Sequence, residues 1–151
     1  MNKKDPDKRL KTIVIMAIMV PIALLHFVTG SHYTGPYPLF VNGYLLDILL
    51  PMGFYFLLCL NEGFIFKSWL FKGVLVFGAA FFVEMTQRMG IPLLGRTYDP
   101  WDILMYALGV SLAVLLDTTI FPMVFHFWNM GLPTNLEDEE VTESPFTWRF
   151  K

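Results

Sequence analysis

The stretch Val83–Asp117, VEMTQRMGIPLLGRTYDPWDILMYALGVSLAVLLD, places the end of one apolar run just before the start of another. The junction carries several polar side chains: Glu84, Gln87, Arg88, Arg96, Asp99 and Asp102. Carboxylates and guanidiniums at the ends of membrane helices are costly to keep, so such groups usually serve a site. The sequence therefore predicts that a functional centre lies at this junction.

The composition of the chain is typical of a membrane protein. Of 151 residues, 55% are hydrophobic, 17% are aromatic and only 16% are charged, whereas about a quarter of a soluble domain is charged. This length suits one domain. The net charge of -2 gives no reason to expect nucleic-acid binding. The single cysteine, Cys59, excludes a disulfide framework.

Four apolar runs have about the length that a bilayer requires. A spanning helix needs roughly 20 mostly apolar residues. The runs are Thr12–Val28, Phe40–Leu60, Ile65–Met85 and Trp101–Val124. We therefore predict an all-α polytopic transmembrane bundle of about four helices.

The distribution of Lys and Arg predicts the orientation of this bundle. The chain divides into a basic tail at 1–11, a transmembrane domain at 12–128 and an acidic, aromatic tail at 129–151. Nine of the 11 Lys and Arg residues lie in the two tails or in the loop between the second and third helices, to which we assign Lys67 and Lys72. The positive-inside rule then places both termini in the cytoplasm. Most polar groups near membrane depth consequently fall toward the outer surface, where a site would open.

One face of the predicted fourth helix carries its polar and small residues. These follow one another at spacings of three or four: Asp102, Tyr106, Gly109, Ala113 and Asp117. Such spacing places them on one stripe. We predict that the stripe faces protein, with Gly109, Ala113 and Asp117 in helix packing, because small residues let helices approach closely.

The segment DPWD predicts where this helix begins. Asp99 suits the N-cap, Pro100 suits the first helical position and Asp102 suits the positive end of the helix dipole. This capping role alone is enough to explain an Asp at position 99.

In the second run, Pro51 follows Asp47 by one turn, and the bend it causes is predicted to turn that carboxylate inward.

The polar residues of these segments form a candidate binding site at the outer surface: Asp47, Glu84, Gln87, Arg96, Asp99, Asp102 and Tyr106. We expect Arg96 to pair with Glu84 or Asp102, because an unpaired carboxylate at the membrane edge is costly. The sequence has no zinc-ligand spacing, phosphate-binding glycine loop or nucleophile elbow. It therefore predicts no metal, no other cofactor and no catalytic residue, and leaves room for a bound lipid.

Three segments together resemble the signature of the VanZ-like membrane proteins. They are Glu84-Met85-Thr86-Gln87, then Gly95-Arg96-Thr97-Tyr98-Asp99-Pro100-Trp101-Asp102, then Gly109. The resemblance covers the third and fourth runs. It implies a small polytopic bundle in a bacterial cytoplasmic membrane, in a family whose founding member is linked to resistance to a lipoglycopeptide antibiotic. The chain departs from that family's pattern at Tyr106, where an Asn is common, and at Pro51, where many members have a His.

The C-terminal tail joins an acidic run, Glu137–Glu143, to three alternating aromatic residues, Phe146, Trp148 and Phe150. A charge run alone is usually solvated. The aromatic residues suit docking onto a partner, and we predict that role for them.

Two functions remain open. The first is a non-enzymatic accessory or assembly subunit of a larger membrane complex, with other membrane subunits and lipids as partners. The second is an independent surface protein that binds a lipid headgroup or amphiphile through the outward-facing pocket. An enzyme would need a nucleophile beside a base, and Thr97 and Ser111 have no base placed near them. We therefore predict no enzymatic activity.

Overall fold

The computed structural model describes residues 6–28, 33–61, 63–91 and 99–129. Helices and turns make up these residues, with no strand among them, and this confirms the all-α prediction. The helices are α1 (Pro6–Val28), α2 (Pro38–Gly43), α3 (Leu45–Leu58), α4 (Trp69–Arg88), α5 (Pro100–Leu115) and α6 (Phe121–Val124). A π turn, Leu116–Ile120, joins α5 to α6, and short 3-10 turns occupy Phe64–Lys67 and His126–Asn129. Arg96, His32 and the tail from residue 130 onward, which includes Phe146, Trp148 and Phe150, lie outside the described residues.

Helix α1 begins at Pro6 rather than at Thr12, where the apolar run starts. Proline suits the first helical position, and Asp7 in the first turn complements the helix dipole. Lys8 and Lys11 therefore lie on the first turns of α1 rather than in a separate tail.

The predicted second helix is divided at Tyr44 into α2 and α3. Tyr37 adopts a left-handed backbone with φ 54, and Pro38 then starts α2. The Asn42 side chain donates to the Tyr33 carbonyl at 3.0 Å, which ties α2 to the preceding segment. Because α3 starts only after this break, Asp47 lies in its first turn.

Helix α4 has a cap at each end. The Ser68 hydroxyl accepts a hydrogen bond from the Phe71 N–H at 3.3 Å. At the other end, Gly90 has a φ of 80, its N–H donates to Gln87, and the Ile91 N–H donates to Thr86. These two bonds form a Schellman motif, which requires a residue that tolerates positive φ. The motif ends α4 one turn after Glu84.

Helix α3 occupies the middle of the bundle and contacts α1, α4 and α5. The core contains buried residues of α1, α3, α4 and α5 and one aromatic side chain that follows α6: Ile15, Tyr55, Phe56, Val76, Val110, Ala113 and Trp128. Where α3 crosses α5, Gly109 lies directly against the Ile48 backbone. A Cβ at Gly109 would overlap the Ile48 carbonyl oxygen and approach its carbonyl carbon to 2.9 Å. Only glycine permits this approach of the two helices.

Two helical segments, Trp69–Arg88 and Pro100–Val124, are long and apolar enough to cross a membrane. Only 28% and 17% of their most apolar windows are buried within the described bundle, so most of each window is exposed. On α5 the face opposite the polar stripe is exposed, with Leu104 at 55% and Leu108 at 46%. The span count of four and the positions of the termini remain predictions.

Candidate functional site

Acidic side chains from three helices face one another at one end of the bundle. Asp47 is on α3, Glu84 is on α4, and Asp102 is on α5, where Tyr106 lies one turn further along. The carboxylates act on one another electrostatically, and all three act on the Tyr106 hydroxyl. We call Asp47, Glu84, Asp102 and Tyr106 the acidic cluster. The sequence-predicted residues Asp47, Glu84, Asp102 and Tyr106 are thus brought together by α3, α4 and α5.

Glu84 is the deepest member of the acidic cluster, with an exposed fraction of 0%. Its Oε1 atom accepts a hydrogen bond from the backbone N–H of Asp99 at 2.9 Å. Its Oε2 atom is buried and has no hydrogen-bond partner among the described residues. The Tyr106 hydroxyl faces Glu84 without supplying that missing bond. A buried acceptor left unpaired costs about 1–3 kcal/mol, and more when it is charged.

Asp99 connects the acidic cluster to the start of α5. Its side chain accepts a hydrogen bond from the Trp101 N–H at 3.0 Å, as expected of the N-cap that the sequence predicts. Its own N–H holds Glu84, so the first residue of the cap also fixes α5 against α4. The Asp99 carboxylate also acts electrostatically on the Tyr44 hydroxyl. Asp99 therefore lies at the edge of the acidic cluster, where it caps α5 and holds Glu84 in place.

Asp47 and Asp102 lie within hydrogen-bonding reach of each other across the α3–α5 contact. Two carboxyl groups can form such a bond only with one proton between them. Both side chains are partly buried.

The remaining predicted residues differ in position. Gln87 is partly buried on the last turn of α4, one turn beyond Glu84. Arg96 is among the residues that are not described, so its pairing with Glu84 or Asp102 stays a prediction. On the same stripe of α5, Gly109 and Ala113 are buried against the bundle.

A second polar group, which the sequence did not predict, surrounds Asp117. Lys72 Nζ lies 2.7 Å from Asp117 Oδ2, and the two side chains are 6% and 11% exposed. The Tyr55 hydroxyl donates to Oδ2 at 2.8 Å, and the Trp128 indole N–H donates to Oδ1 at 2.9 Å. Lys72 also donates to Cys59 Sγ at 3.0 Å. We call these residues the Asp117 network.

The Asp117 network corrects the sequence interpretation of Lys72. We assigned Lys72 to a cytoplasmic loop, but it lies in the first turn of α4 and is buried at 5% exposure. The sequence does contain a signal for this position, because Lys72 is flanked by apolar residues on both sides, Trp69–Phe71 and Gly73–Phe77. A charge in such a segment needs a buried partner. Asp117 lies in the π turn, a feature that residue spacing does not reveal.

The acidic cluster and the Asp117 network lie at opposite ends of one helical stripe. Asp102 and Asp117 are separated by roughly 22 Å, from the rise of about 1.5 Å per residue. Both carboxylate oxygens of Asp117 have a donor, whereas Glu84 Oε2 has none among the described residues. The network is therefore a satisfied structural contact, and the acidic cluster is the better candidate for a binding site.

Within the described residues, no three His, Cys, Asp or Glu side chains converge closely enough to hold a metal ion. The acidic cluster offers hydrogen-bond acceptors from three helices, which suits a ligand that donates hydrogen bonds. Searches with known family models, among curated proteins and among solved structures found no match to this chain. The VanZ-like resemblance therefore rests on the quoted residues alone.

Proposed function

We propose that the chain is an integral protein of a bacterial cytoplasmic membrane, with four spans and both termini inside, and that its acidic cluster binds the polar headgroup of a lipid or amphiphile. The Oε2 atom of the fully buried Glu84, which has no hydrogen-bond partner among the described residues, carries this proposal. A hydrogen-bond donor on the headgroup would pair this atom and recover the free energy that its burial costs. The mode of action is binding rather than catalysis.

The surroundings of the acidic cluster suit an amphiphile. Large apolar side chains are exposed on the first turns of α5, which carries Asp102, among them Trp101 at 58% and Leu104 at 55%. Aromatic residues such as Trp101 favour the level of the lipid headgroups. An amphiphile could therefore keep its chains in the bilayer while its headgroup enters between α3, α4 and α5.

Retention of lipid by variants tests this proposal. We expect native mass spectrometry of the protein in nanodiscs to show a retained lipid or amphiphile, and the adduct to be lost in Glu84→Gln and weakened in Asp47→Asn. Lys67→Gln, an exposed change on the turn before α4, is the control and should keep the adduct. Detergent melting identifies variants that fail to fold. Equal retention by folded Glu84→Gln and by wild type would contradict the proposal.

A second candidate function, as an accessory subunit of a membrane complex, is favoured by a groove between α4 and α5. The groove has a volume of about 410 Å³ and is lined mainly by apolar residues. Its lining includes the small residues Gly73, Ala107 and Ser111. Small residues let transmembrane helices approach closely. We propose that a transmembrane helix of a partner subunit would occupy this groove, with the tail as a second contact.

Two variants test the subunit function separately from lipid binding. Ala107→Phe would fill the groove, and deletion of residues 131–151 would remove the predicted docking tail. We expect each to reduce the yield of co-purified subunits while the bundle still folds. Ala79→Phe, at an exposed position of α4, is the matched control. Unchanged partners and yield in both test variants would exclude these contacts, and a full-length chain that co-purifies with no partner would exclude the subunit function.

A further inference from the structure

We propose that the acidic run of the C-terminal tail, Glu137–Glu143, docks onto the first turns of α1 in the same chain. The docking surface consists of Lys8, Arg9 and Lys11, which we call the basic turn. The inference is independent of the acidic cluster and of its ligand. It follows from the contacts that fix the start of the tail beside α1, and from the charges of the two segments.

The tail starts at a fixed point of the bundle, because Trp128 is anchored there. Trp128 is 5% exposed, and its indole N–H donates to Asp117 Oδ1 at 2.9 Å. Its ring packs edge-to-face on Phe121, with 4.6 Å between the ring centroids. The turn that carries it, His126–Asn129, contacts α1. The chain from residue 130 onward therefore leaves the bundle beside α1.

The basic turn lies next to this point. Lys11 Nζ is 4.9 Å from the centroid of the Trp128 ring. Lys8, three positions before Lys11, shares its face of α1, and both Lys8 and Arg9 are exposed. Positive charges near the N-terminus of a helix oppose the helix dipole, and Asp7 is the only carboxylate among residues 6–11. Additional negative charge is therefore stabilising at this surface.

The tail supplies this negative charge within reach of the basic turn. Five of the seven residues in Glu137–Glu143 are acidic, and residues 129–136, which join this run to Trp128, carry no charge. A flexible chain of eight residues spans about 16 Å on average and at most about 29 Å. Lys8 and Lys11 are separated by a rise of only about 4.5 Å, so the run reaches the whole basic turn.

The tether makes several weak ion pairs sufficient for docking. Each exposed pair contributes little by itself. A short linker, however, keeps the acidic run at a roughly millimolar effective concentration beside the basic turn. An anionic membrane surface attracts the same cations and is the main competitor. Because the acidic run is covalently attached, we expect it to keep the basic turn in the presence of such lipids.

The mobility of a nitroxide label in the acidic run tests this inference. The label is attached at Val141→Cys in a Cys59→Ser background, with one full-length chain in each phosphatidylcholine nanodisc. We expect an immobilised fraction that falls by roughly threefold or more in Lys8→Glu/Arg9→Glu, as the loss of two exposed ion pairs predicts. Salt at 1 M should release the label as well, because the Debye length is then about 3 Å. Lys67→Glu, the same charge change at an exposed position before α4, is the matched control and should leave the spectrum unchanged.

A charge exchange distinguishes docking on the basic turn from docking elsewhere. Addition of Glu139→Lys/Glu140→Lys to the α1 variant should restore part of the immobilised fraction, because the signs are complementary again. If detergent melting shows that the α1 variant does not fold, Glu139→Lys/Glu140→Lys alone should release the label.

Three results would overturn the inference. The first is a label that is equally mobile in the wild-type sequence and in the charge-reversed variants. The second is an immobilised label that neither pair of substitutions releases, because the run would then dock elsewhere. The third is release of the label from the wild-type sequence in nanodiscs that contain phosphatidylglycerol, because the membrane surface would then occupy the basic turn.

Discussion

Replacement of Lys72 by methionine should destabilise the bundle strongly, because it leaves the Asp117 carboxylate buried without a counter-ion. Lys72 Nζ is 2.7 Å from Asp117, and both side chains are at most 11% exposed. Methionine has nearly the length of the lysine stem and fills the space without the charge. The effect therefore reports on electrostatics rather than on packing.

The magnitude follows from the burial of the pair. Removal of one partner from a buried ion pair costs about 3–5 kcal/mol, whereas an exposed pair contributes at most about 1 kcal/mol. Asp117 retains the donors of Tyr55 and Trp128, at 2.8 and 2.9 Å, so we expect the lower end, about 3 kcal/mol. That is a change of more than about a hundredfold in the unfolding equilibrium.

The assay is reversible unfolding in mixed micelles, followed as a function of denaturing detergent. The double variant Lys72→Met with Asp117→Asn should recover part of the loss, since the neutral amide still accepts a hydrogen bond. We expect a coupling of about 1–3 kcal/mol from this cycle. Lys67→Met, which is exposed, should change stability by less than about 0.5 kcal/mol. A loss below about 1 kcal/mol for Lys72→Met would refute the reasoning, because the pair would then behave as a solvated one.

Three further predictions concern the packing, the cap and the orientation. Gly109→Ala should lower the melting temperature by forcing α5 away from the Ile48 carbonyl. Gly78→Ala, whose Cβ would have nothing within 4 Å, should leave the melting temperature unchanged or slightly higher. Equal shifts in the two variants would contradict the close crossing of α3 and α5. Asp99→Ala should cost about 1 kcal/mol through loss of the N-cap and Asp99→Asn much less, and similar losses in both would assign the effect to charge. A phosphatase reporter that is active only outside the cytoplasm should be inactive at Lys151, and strong activity there would reverse the predicted topology.

The start of α5 shows what sequence can predict. Asp99 and Pro100 occupy the cap and the first helical position, and Gly109 and Ala113 lie on the buried stripe, because caps and helical spacing are local properties. The meeting of Asp47 with Asp102 depends on the crossing of α3 and α5, which spacing along one helix does not define. The break at Tyr44 is not predicted either, because the apolar run continues through it and hydropathy does not register a local change in backbone conformation.

The Asp117 network could not be predicted for a similar reason. Lys72 and Asp117 are 45 positions apart in sequence, and their pairing requires both the α4–α5 contact and the π turn. Charge counting assigns Lys72 to a cytoplasmic loop, where lysines beside membrane helices are usually found.

The π turn at Leu116–Ile120 determines the direction of the segment that follows α5. A π turn accommodates one residue more than the α turn that it replaces. If the same five residues formed a regular α-helix instead, everything from Phe121 onward would rotate by about 100°. Trp128 would then point away from Asp117, although no residue of the network had been substituted. Among homologous sequences, a gap of one residue at this turn would therefore be compatible with the same C-terminal arrangement, because an α turn would then replace the π turn.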